Sequence, residues 1–582
     1  MTRSGIFHSH LAFLSRVKAV VVVIGQQHQI HQPRADHPRS THTHNPTMAP
    51  PAIVHLPNGH NLSVTPVFGG LYFKSVDAHN HQNIFPPGWT ITIESEDNEH
   101  PITPGADSEL PGAPRYRVHS YRQPSLQSDH LFISSISNPP NERTPSQFPA
   151  SSPTRQIAMM LWATLYWYFQ QPEPDAKMTN STSQGTAEAG RPKGEWRINI
   201  NREGVFRGKQ LMQKLERMGL IATEDSAVGT SLDPNTPDGW SAMFVSRRHF
   251  WQLDPRIYLF TSNPQVNSAL VSHTHLDSRP DSPALGVPSS RPDSIVDNAG
   301  PVTATGGNHG LWTPPGQFKS SSHLPTFYPP APAQYIFTDK VRHPLRPKPP
   351  RQGETFYTRY IPSLGEYLSF RVASLSKRPV QHIGPVSDPT PGASPLRASA
   401  SASDSHVPTI GTLNHEMSDG DLLHKWMNDE RVAYSWGEQG PLSHQEEFLK
   451  AGLTNKHSIP VIGCFDGKPF GYFEIYWVKE DRLGSYLGYQ VADYDRGLHV
   501  LVGEQKFRGP HRVKVWLSAL VHFCFLADAR TESVMLEPRV DNIKLKQYCE
   551  EVGFFKEREI SFPHKQSNLM KIRREAWDAP AI

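Results

Sequence analysis

The stretch DRGLHVLVGEQKFRGPHRVKVWLSAL, residues 495–520, runs from an apolar strand through a short basic turn into an amphipathic helix. Side chains alternate along a strand, so Leu498, Val500 and Val502 share one face while His499, Leu501 and Gly503 share the other. In the helix, Val513, Trp516, Leu517, Leu520 and Cys524 fall at i, i+3, i+4, i+7 and i+11, one apolar stripe that can pack on a sheet. The turn EQKFRGPHR (504–512) ends at a helix N-terminus, where unpaired N–H groups and the positive dipole end gather beside Lys506, Arg508 and Arg512. Such a place suits a pyrophosphate. The same turn also serves as plain punctuation, and His499 also reads as a satisfied, half-buried histidine.

Working outward, residues 410–582 read as helices at SDGDLLHKWMND and SHQEEFLKAGL, then a hairpin IPVIGCF-DGK-PFGYFEIYWV turning at Asp466-Gly467. The quoted strand and helix follow, then a strand SVMLEP, a helix NIKLKQYCEEVG ending at Gly553, and a last strand FKEREISF. The order is helical, two antiparallel strands, then β-α-β-α-β. It predicts an α+β fold with a mixed α/β sheet.

Four ordered motifs carry a resemblance: LLHKWMNDERVAYSWGEQG (422–440), GLHVLVGEQKFRG (497–509), LEPRVDNIKLKQYCEEVGF (536–554) and FPHKQSNLM (562–570). Together they resemble the GNAT superfamily of acyl-CoA-dependent N-acyltransferases, in its siderophore-type branch, which includes N5-hydroxyornithine acyltransferases. RQIAMMLWATLYWYFQQPEP (155–174), REGVFRGKQLMQKLERMGLI (202–221) and PPRQGETFYTRYIPSLGEYLSFR (349–371) look like the fungal members in particular. The resemblance implies a catalytic GNAT domain at 410–582 behind a second, degenerate GNAT-like domain at 48–375.

It also implies transfer of an acyl group from a CoA thioester, acetyl-CoA or a bulkier donor such as anhydromevalonyl-CoA, to the hydroxylamine nitrogen of N5-hydroxyornithine, giving a hydroxamate for siderophore biosynthesis. A hydroxylamine is neutral near pH 7, so the enzyme has mainly to orient it, accept a proton and stabilise the thioester oxyanion. The resemblance makes His499 the base, and gives Asp541 either the task of orienting it or of binding the acceptor's amino group. Several relatives carry the acid directly after the Glu-Pro pair, where Arg539 stands here, so an N-cap role for Asp541 stays open. Tyr548 lies on the helix that places a phenol near the leaving thiolate, or packs in the core with Leu545 and Val552. Asn542 either meets the pantetheine arm or caps its helix.

The diphosphate cradle is expected at the amides of Phe507, Arg508, Gly509 and His511, with Val500, Leu501, Val502, Lys506 and Arg512 around the cofactor and Pro510 lacking an N–H. Trp426, Arg431, Trp436, Glu537 and Lys565 are expected on the acceptor side. There Arg431 holds a carboxylate, or pairs on the surface with Asp429. The competing class is a GNAT-like binding protein without catalysis.

Composition sets the remaining bounds. The 582 residues carry 55 prolines and only 37% hydrophobic residues, which implies folded blocks separated by solvated tracts. A net charge of +3 gives no case for a nucleic-acid or membrane partner. Cys464, Cys524 and Cys549 sit in apolar runs without metal-site spacing, so no metal and no disulfide framework is expected. Residues 1–47 are read as a disordered tail or a mis-assigned start, 125–153 as loop, 175–194 and 265–330 as disordered inserts, and 376–409 as a Ser/Pro-rich linker between domains. No permanently bound cofactor is expected. The ending DAPAI is not a peroxisomal SKL address, which favours the cytoplasm over the peroxisome. A homo-oligomer is left open.

Overall fold

The computed structural model of the chain describes residues 52–76, 86–102, 115–137, 153–223, 243–253, 332–382, 384–387 and 417–582. The tail 1–47, the insert 265–330 and most of the expected linker lie outside them. These described residues belong to one compact unit. It is built on two mixed sheets.

The first sheet uses β1 (Ala52–His55), β2 (Asn61–Val67), β3 (Gly70–Ser75), β4 (Gly88–Ile102), β5 (Arg115–Ser120), β6 (Asp129–Ile136), β7 (Arg197–Ile200), β8 (Ala222–Thr223) and β9 (Met243–Ser246). Its order is β1-β2-β3-β4-β6-β7-β9-β8, with β5 added on β4. Helices α1 (Pro153–Tyr168), α2 (Lys209–Arg217) and α3 (Arg247–Trp251) accompany it. The all-round apolar sequence of α1 buries it along nearly its whole length.

A separate hairpin, β10 (Tyr335–Thr338) and β11 (Val341–Pro344), precedes the second sheet. That sheet orders β12 (Thr355–Ile361), β13 (Glu366–Val372), β14 (Ser458–Phe465), β15 (Lys468–Trp477), β16 (Arg496–Val502) and β17 (Ser533–Leu536) side by side. Beyond β17 lies β19 (Gln566–Arg573), and β18 (Phe555–Ser561) forms the edge. Its helices are α4 (Asp419–Met427), α5 (Glu430–Trp436), α6 (Leu442–Thr454), α7 (Arg482–Leu487), α8 (Pro510–Ala527) and α9 (Ile543–Val552).

The two sheets share one topology. An antiparallel pair (β4–β6, β15–β16) meets a parallel neighbour (β7, β17) across a crossover helix (α1, α8). A second helix (α2, α9) then leads to two strands, the later of which inserts between its predecessors. Each parallel pairing is short: His130 and Leu131 face Asn199 and Ile200, and Arg496 and Gly497 face Val534 and Met535. Past Gly497 the strands part. β16 stays paired with β15 on one edge and presents Leu498–Val502 without a strand on the other.

The halves meet at α8. His522, on its buried side, donates from Nε2 to the Trp251 carbonyl at 2.8 Å and accepts the Tyr357 hydroxyl at Nδ1 at 2.9 Å. It stacks on Trp577 with ring centroids 5.4 Å apart. Burial, then the charge of Arg359, push its pKa down to about 3, so the imidazole is neutral and can both donate and accept.

Four expectations are corrected. Residues 129–136 are a central strand, not loop; Asp129, Leu131 and Ile133 alternate inward despite the flanking serines. Residues 175–194 are ordered, by a Lys177–Lys193 bridge, an Asn180 side chain that accepts the amides of Thr182 and Ser183, and a Lys177–Glu188 ion pair at 2.5 Å. The strands at 355–372, placed ahead of the linker, belong to the second sheet because β13 pairs with β14. FKEREISF is not the last strand, since β19 follows and separates it from β17.

The tie between β13 and the helical layer is a buried bidentate pair. Arg371 donates to both Asp419 oxygens at 2.7 and 2.6 Å, and the Ser374 amide adds a third bond at 2.8 Å. Breaking a buried pair from one side strands the other charge. Asp419→Ala should therefore cost about 3–5 kcal/mol and lower the apparent Tm in a thermal melt. A melt unchanged from the parent would contradict this role.

Candidate active site

His499 stands on β16 directly opposite Glu474 on β15. Its Nδ1 donates to Glu474 Oε2 at 2.8 Å, and its Nε2 donates to Glu537 Oε1 at 2.7 Å, across the opening where β17 has diverged. Each carboxylate also holds a tyrosine: Tyr472 donates to Glu474 Oε1 at 2.9 Å and Tyr476 to Glu537 Oε2 at 3.0 Å. The Tyr476 ring lies 4.6 Å from the imidazole and the Trp436 ring 6.4 Å, centroid to centroid. Lys565 donates to the Glu537 carbonyl at 3.1 Å and approaches its carboxylate at 4.0 Å.

This arrangement sets the charges. Burial alone would lower the His499 pKa, but the negative charge of Glu537 and the hydrogen bonds the ring donates to both glutamates win, holding it well above the ordinary histidine range. Burial raises the Glu537 pKa, but the charge and hydrogen bond of His499 together with the charge of Lys565 outweigh it and hold the carboxyl below its ordinary range. Tyr472 and Tyr476 are pushed up, by burial first and by their carboxylates second, so both stay neutral donors. The result is an imidazolium between two carboxylates, with side-chain exposures of 33% for His499, 18% for Glu474 and 6% for Glu537.

The turn after β16 is anchored by Phe507, buried against Phe465 and Phe470. Its amide is spent on the Glu504 carbonyl and that of Arg508 on Gln505. Arg512 and Val513 turn their amides back to Gly509, and Pro510 has no N–H. The expected cradle thus narrows to the amides of Gly509 and His511, with Lys506, Arg508 and His511 exposed around it. Gly509 sits at φ 128°, a left-handed backbone that only glycine adopts at ease. Arg512 belongs to the fold instead, paired with Glu366 at 2.6 Å and lying over the Phe465 and Phe507 rings.

Other expected residues move too. Trp426 is buried, donates to Glu504 Oε1 at 3.0 Å, and leaves no room at Gly503, where a Cβ would lie 2.2 Å from its ring. It is a wedge under the strand end rather than an acceptor contact. Arg431 donates to the Val502 carbonyl at 3.1 Å, beside the turn that follows β16, and is only loosely paired with Asp429 at 3.6 Å. Burial first and the neighbouring Arg508 second depress its pKa, which Asp429 only partly offsets. Asp541 does not orient His499; it is exposed and held by Arg539 at 2.6 Å and the Tyr434 hydroxyl at 3.2 Å. Asn542 caps α9 through the Leu545 amide at 3.1 Å. Tyr548 packs against the core with Leu545 and Val552, and no hydrogen bond of the His499 cluster reaches it.

Residues 415–562 match the acetyltransferase (GNAT) domain family. An N5-hydroxyornithine acetylase of Beauveria bassiana is 45% identical over 556 residues, covering 89% of this chain and 99% of that protein. The chain belongs to the siderophore-type GNAT acyltransferases. An N(6)-hydroxylysine O-acetyltransferase of Escherichia coli is 37% identical across 40% of this chain and 60% of its own length. An N(5)-hydroxyornithine:cis-anhydromevalonyl coenzyme A-N(5)-transacylase of Beauveria bassiana is 34% identical across 45% of this chain and 52% of its own.

The acyltransferase carries this cluster on one sheet alone. Counted from the parallel pairing, the places of Glu474 and His499 in the first sheet hold Ile91 and Ile133, paired with each other and fully buried. The first half therefore keeps the topology and lacks the titratable groups. Sequence reasoning missed Glu474, Tyr472 and Tyr476, although a glutamate in the apolar strand PFGYFEIYWV was itself a signal. Its partner on the next strand depends on a register the sequence does not print.

A raised histidine pKa contributes stability that is fully present below the ordinary value of 6.5 and is lost as pH rises through the folded value. The His499 ring should thus show two protonated nitrogens in 15N spectra at pH 8, against one for Glu474→Gln/Glu537→Gln. A neutral ring at pH 8 in the parent would overturn the clamp.

Proposed function

We propose that the protein transfers an acetyl group from acetyl-CoA to the hydroxylamine nitrogen of N5-hydroxyornithine, forming the hydroxamate of a siderophore precursor. The observation that carries this reading is the doubly clamped His499. With both ring nitrogens donating to carboxylates, the imidazolium has no lone pair to serve as a strong base. An alkylammonium acceptor would need one; a hydroxylamine does not, because it is neutral and nucleophilic near neutral pH.

The acyl-CoA fits the residues present. The free edge Leu498–Val502 supplies main-chain donors and acceptors for the amides of a pantetheine arm, and Gly509 and His511 supply amides for its diphosphate at the N-terminus of α8. Arg431, at the Val502 carbonyl, and the exposed Arg508 supply positive charge beside them. In the reaction the nitrogen attacks the thioester carbon, the new C–N bond forms and the C–S bond breaks. The proton leaving nitrogen goes to Glu474, the more open of the two carboxylates, and finishes on the departing sulfur. His499 keeps Glu474 and Glu537 in place and holds the Glu537 carboxyl below its ordinary range, and Trp436 walls the acceptor side. In this reading His499 positions the carboxylates, and Glu474 takes the base's place that the resemblance gives to His499.

The acetyl donor is favoured over a bulkier one by the near-complete coverage of the acetylase relative, against about half the length of the transacylase. The test is release of free thiol from acetyl-CoA by purified protein with N5-hydroxyornithine, alongside anhydromevalonyl-CoA as donor. Thiol from acetyl-CoA is expected. Faster release from the bulky donor would reassign the donor, and none from any short acyl-CoA would favour a binding protein. Glu474→Gln should lower kcat by about 10²–10⁴-fold with the KM for acetyl-CoA nearly unchanged; parental turnover would exclude Glu474 as proton acceptor.

A further inference from the structure

Beyond Glu537 the chain does not turn away at once. Leu536 pairs with Met570, and Arg539 forms an antiparallel bridge with Ser567 in the same register, while Pro538 and Val540 exchange main-chain bonds with Asn568 and Gln566 at 2.8 and 3.1 Å. Residues 537–540 thus prolong β17 outward. Two residues apart on one strand, Glu537 and Arg539 project from the same face, roughly 7 Å apart along the chain. Glu537 reaches inward to His499. Arg539 stands one step nearer the rim.

At the rim Arg539 meets α5. Its guanidinium donates to Asp541 at 2.6 Å and to the Tyr434 hydroxyl at 3.0 Å, and lies over the Tyr434 ring at 4.6 Å. The same hydroxyl donates to Asp541 at 3.2 Å. Side-chain exposures of 33% for Arg539 and 49% for Asp541 make this a solvated pair. A solvated ion pair is worth little, so its members exchange partners at small cost. One cation and one anion side by side complement a zwitterion, and an α-amino acid head group is one. From a terminal hydroxylamine nitrogen to the α-carbon of a five-carbon amino acid is four bonds, about 5 Å when extended, and the carboxylate and ammonium lie just beyond.

We propose that Arg539 and Asp541 recognise the α-carboxylate and α-ammonium of the acceptor, Arg539 gripping the carboxylate and Asp541 the ammonium, with Tyr434 holding the pair when no acceptor is bound. This rests on the hydroxylamine acetylation proposed above and adds how the acceptor's far end is read. It gives the arginine that departs from the relatives' motif a specificity role. It also moves carboxylate binding from Arg431, which faces the cofactor turn, to Arg539.

Three acceptors separate the contributions: N5-hydroxyornithine, its decarboxylated counterpart N-hydroxy-1,4-diaminobutane, and the desamino compound 5-(hydroxyamino)pentanoate. The parent should favour the full amino acid over either truncated compound by about tenfold or more in kcat/KM, the worth of a charge-assisted hydrogen bond. Arg539→Ala should bring the full amino acid down to the level of the decarboxylated compound, with Arg539→Lys between. Asp541→Asn should do the same relative to the desamino compound. The KM for acetyl-CoA should not move in any of them, which a merely structural loss at the rim would not spare. A parent that acetylates all three alike, or variants whose discrimination matches the parent's, would overturn the recognition pair while leaving the acetylation reading intact. A parent inactive on all three would reject both.

Discussion

An imidazolium held between Glu474 and Glu537 is the interaction on which the site depends. Two carboxylates this close in a protein interior repel one another and lose hydration, a cost that neither tyrosine alone can offset. Placing a cation between them turns repulsion into attraction and spends both ring nitrogens. Tyr472 and Tyr476 then complete the carboxylate oxygens' hydrogen bonding from the outside, and Lys565 adds a positive charge 4.0 Å from Glu537. The clamp also joins strands that are not paired at that point, because Glu474 comes from β15 and Glu537 from the end of β17. It therefore spans the mouth of the split it serves.

The split itself has a backbone origin. Parallel pairing between β16 and β17 stops after Gly497, a residue whose missing Cβ lets the Tyr476 ring lie against the strand; a Cβ there would come within 2.1 Å of that ring. From there one edge of β16 is open to an extended ligand, and the strand leads straight to a helix N-terminus. The first sheet repeats the same parting of strands with Ile133 and Ile91 where the second has histidine and glutamate. Repeated topology with apolar residues at the central pair fits a half that contributes core to the other through His522, Tyr357 and Trp251.

Much of the second half was legible because its signals are local. Alternation in GLHVLVG, the helical stripe after it, the Asp-Gly turn at 466–467 with both residues at positive φ, and the Gly553 cap at φ 105° each belong to a few consecutive residues. Motif order supplied the family. What was misjudged depended on distant partners. β19 is buried on both faces and shows little alternation, and β6 is framed by serines, so neither stands out locally. The strands at 355–372 read correctly as strands but not as members of the second sheet, since that requires the pairing of β13 with β14.

The candidate site divides in the same way. The sequence by itself determined that a histidine would stand mid-strand before a basic glycine turn and a helix N-terminus, because period and capping are properties of neighbouring residues. Only the tertiary structure decided what that histidine is: register set Glu474 opposite it, divergence of β17 brought Glu537 within 2.7 Å, and the two charges made it an imidazolium. The same long-range packing withdrew Trp426, Arg512 and Tyr548 into the fold and set Arg539 at the rim. Residue type is written locally, whereas charge state and access depend on which groups the folded chain brings within a few ångströms.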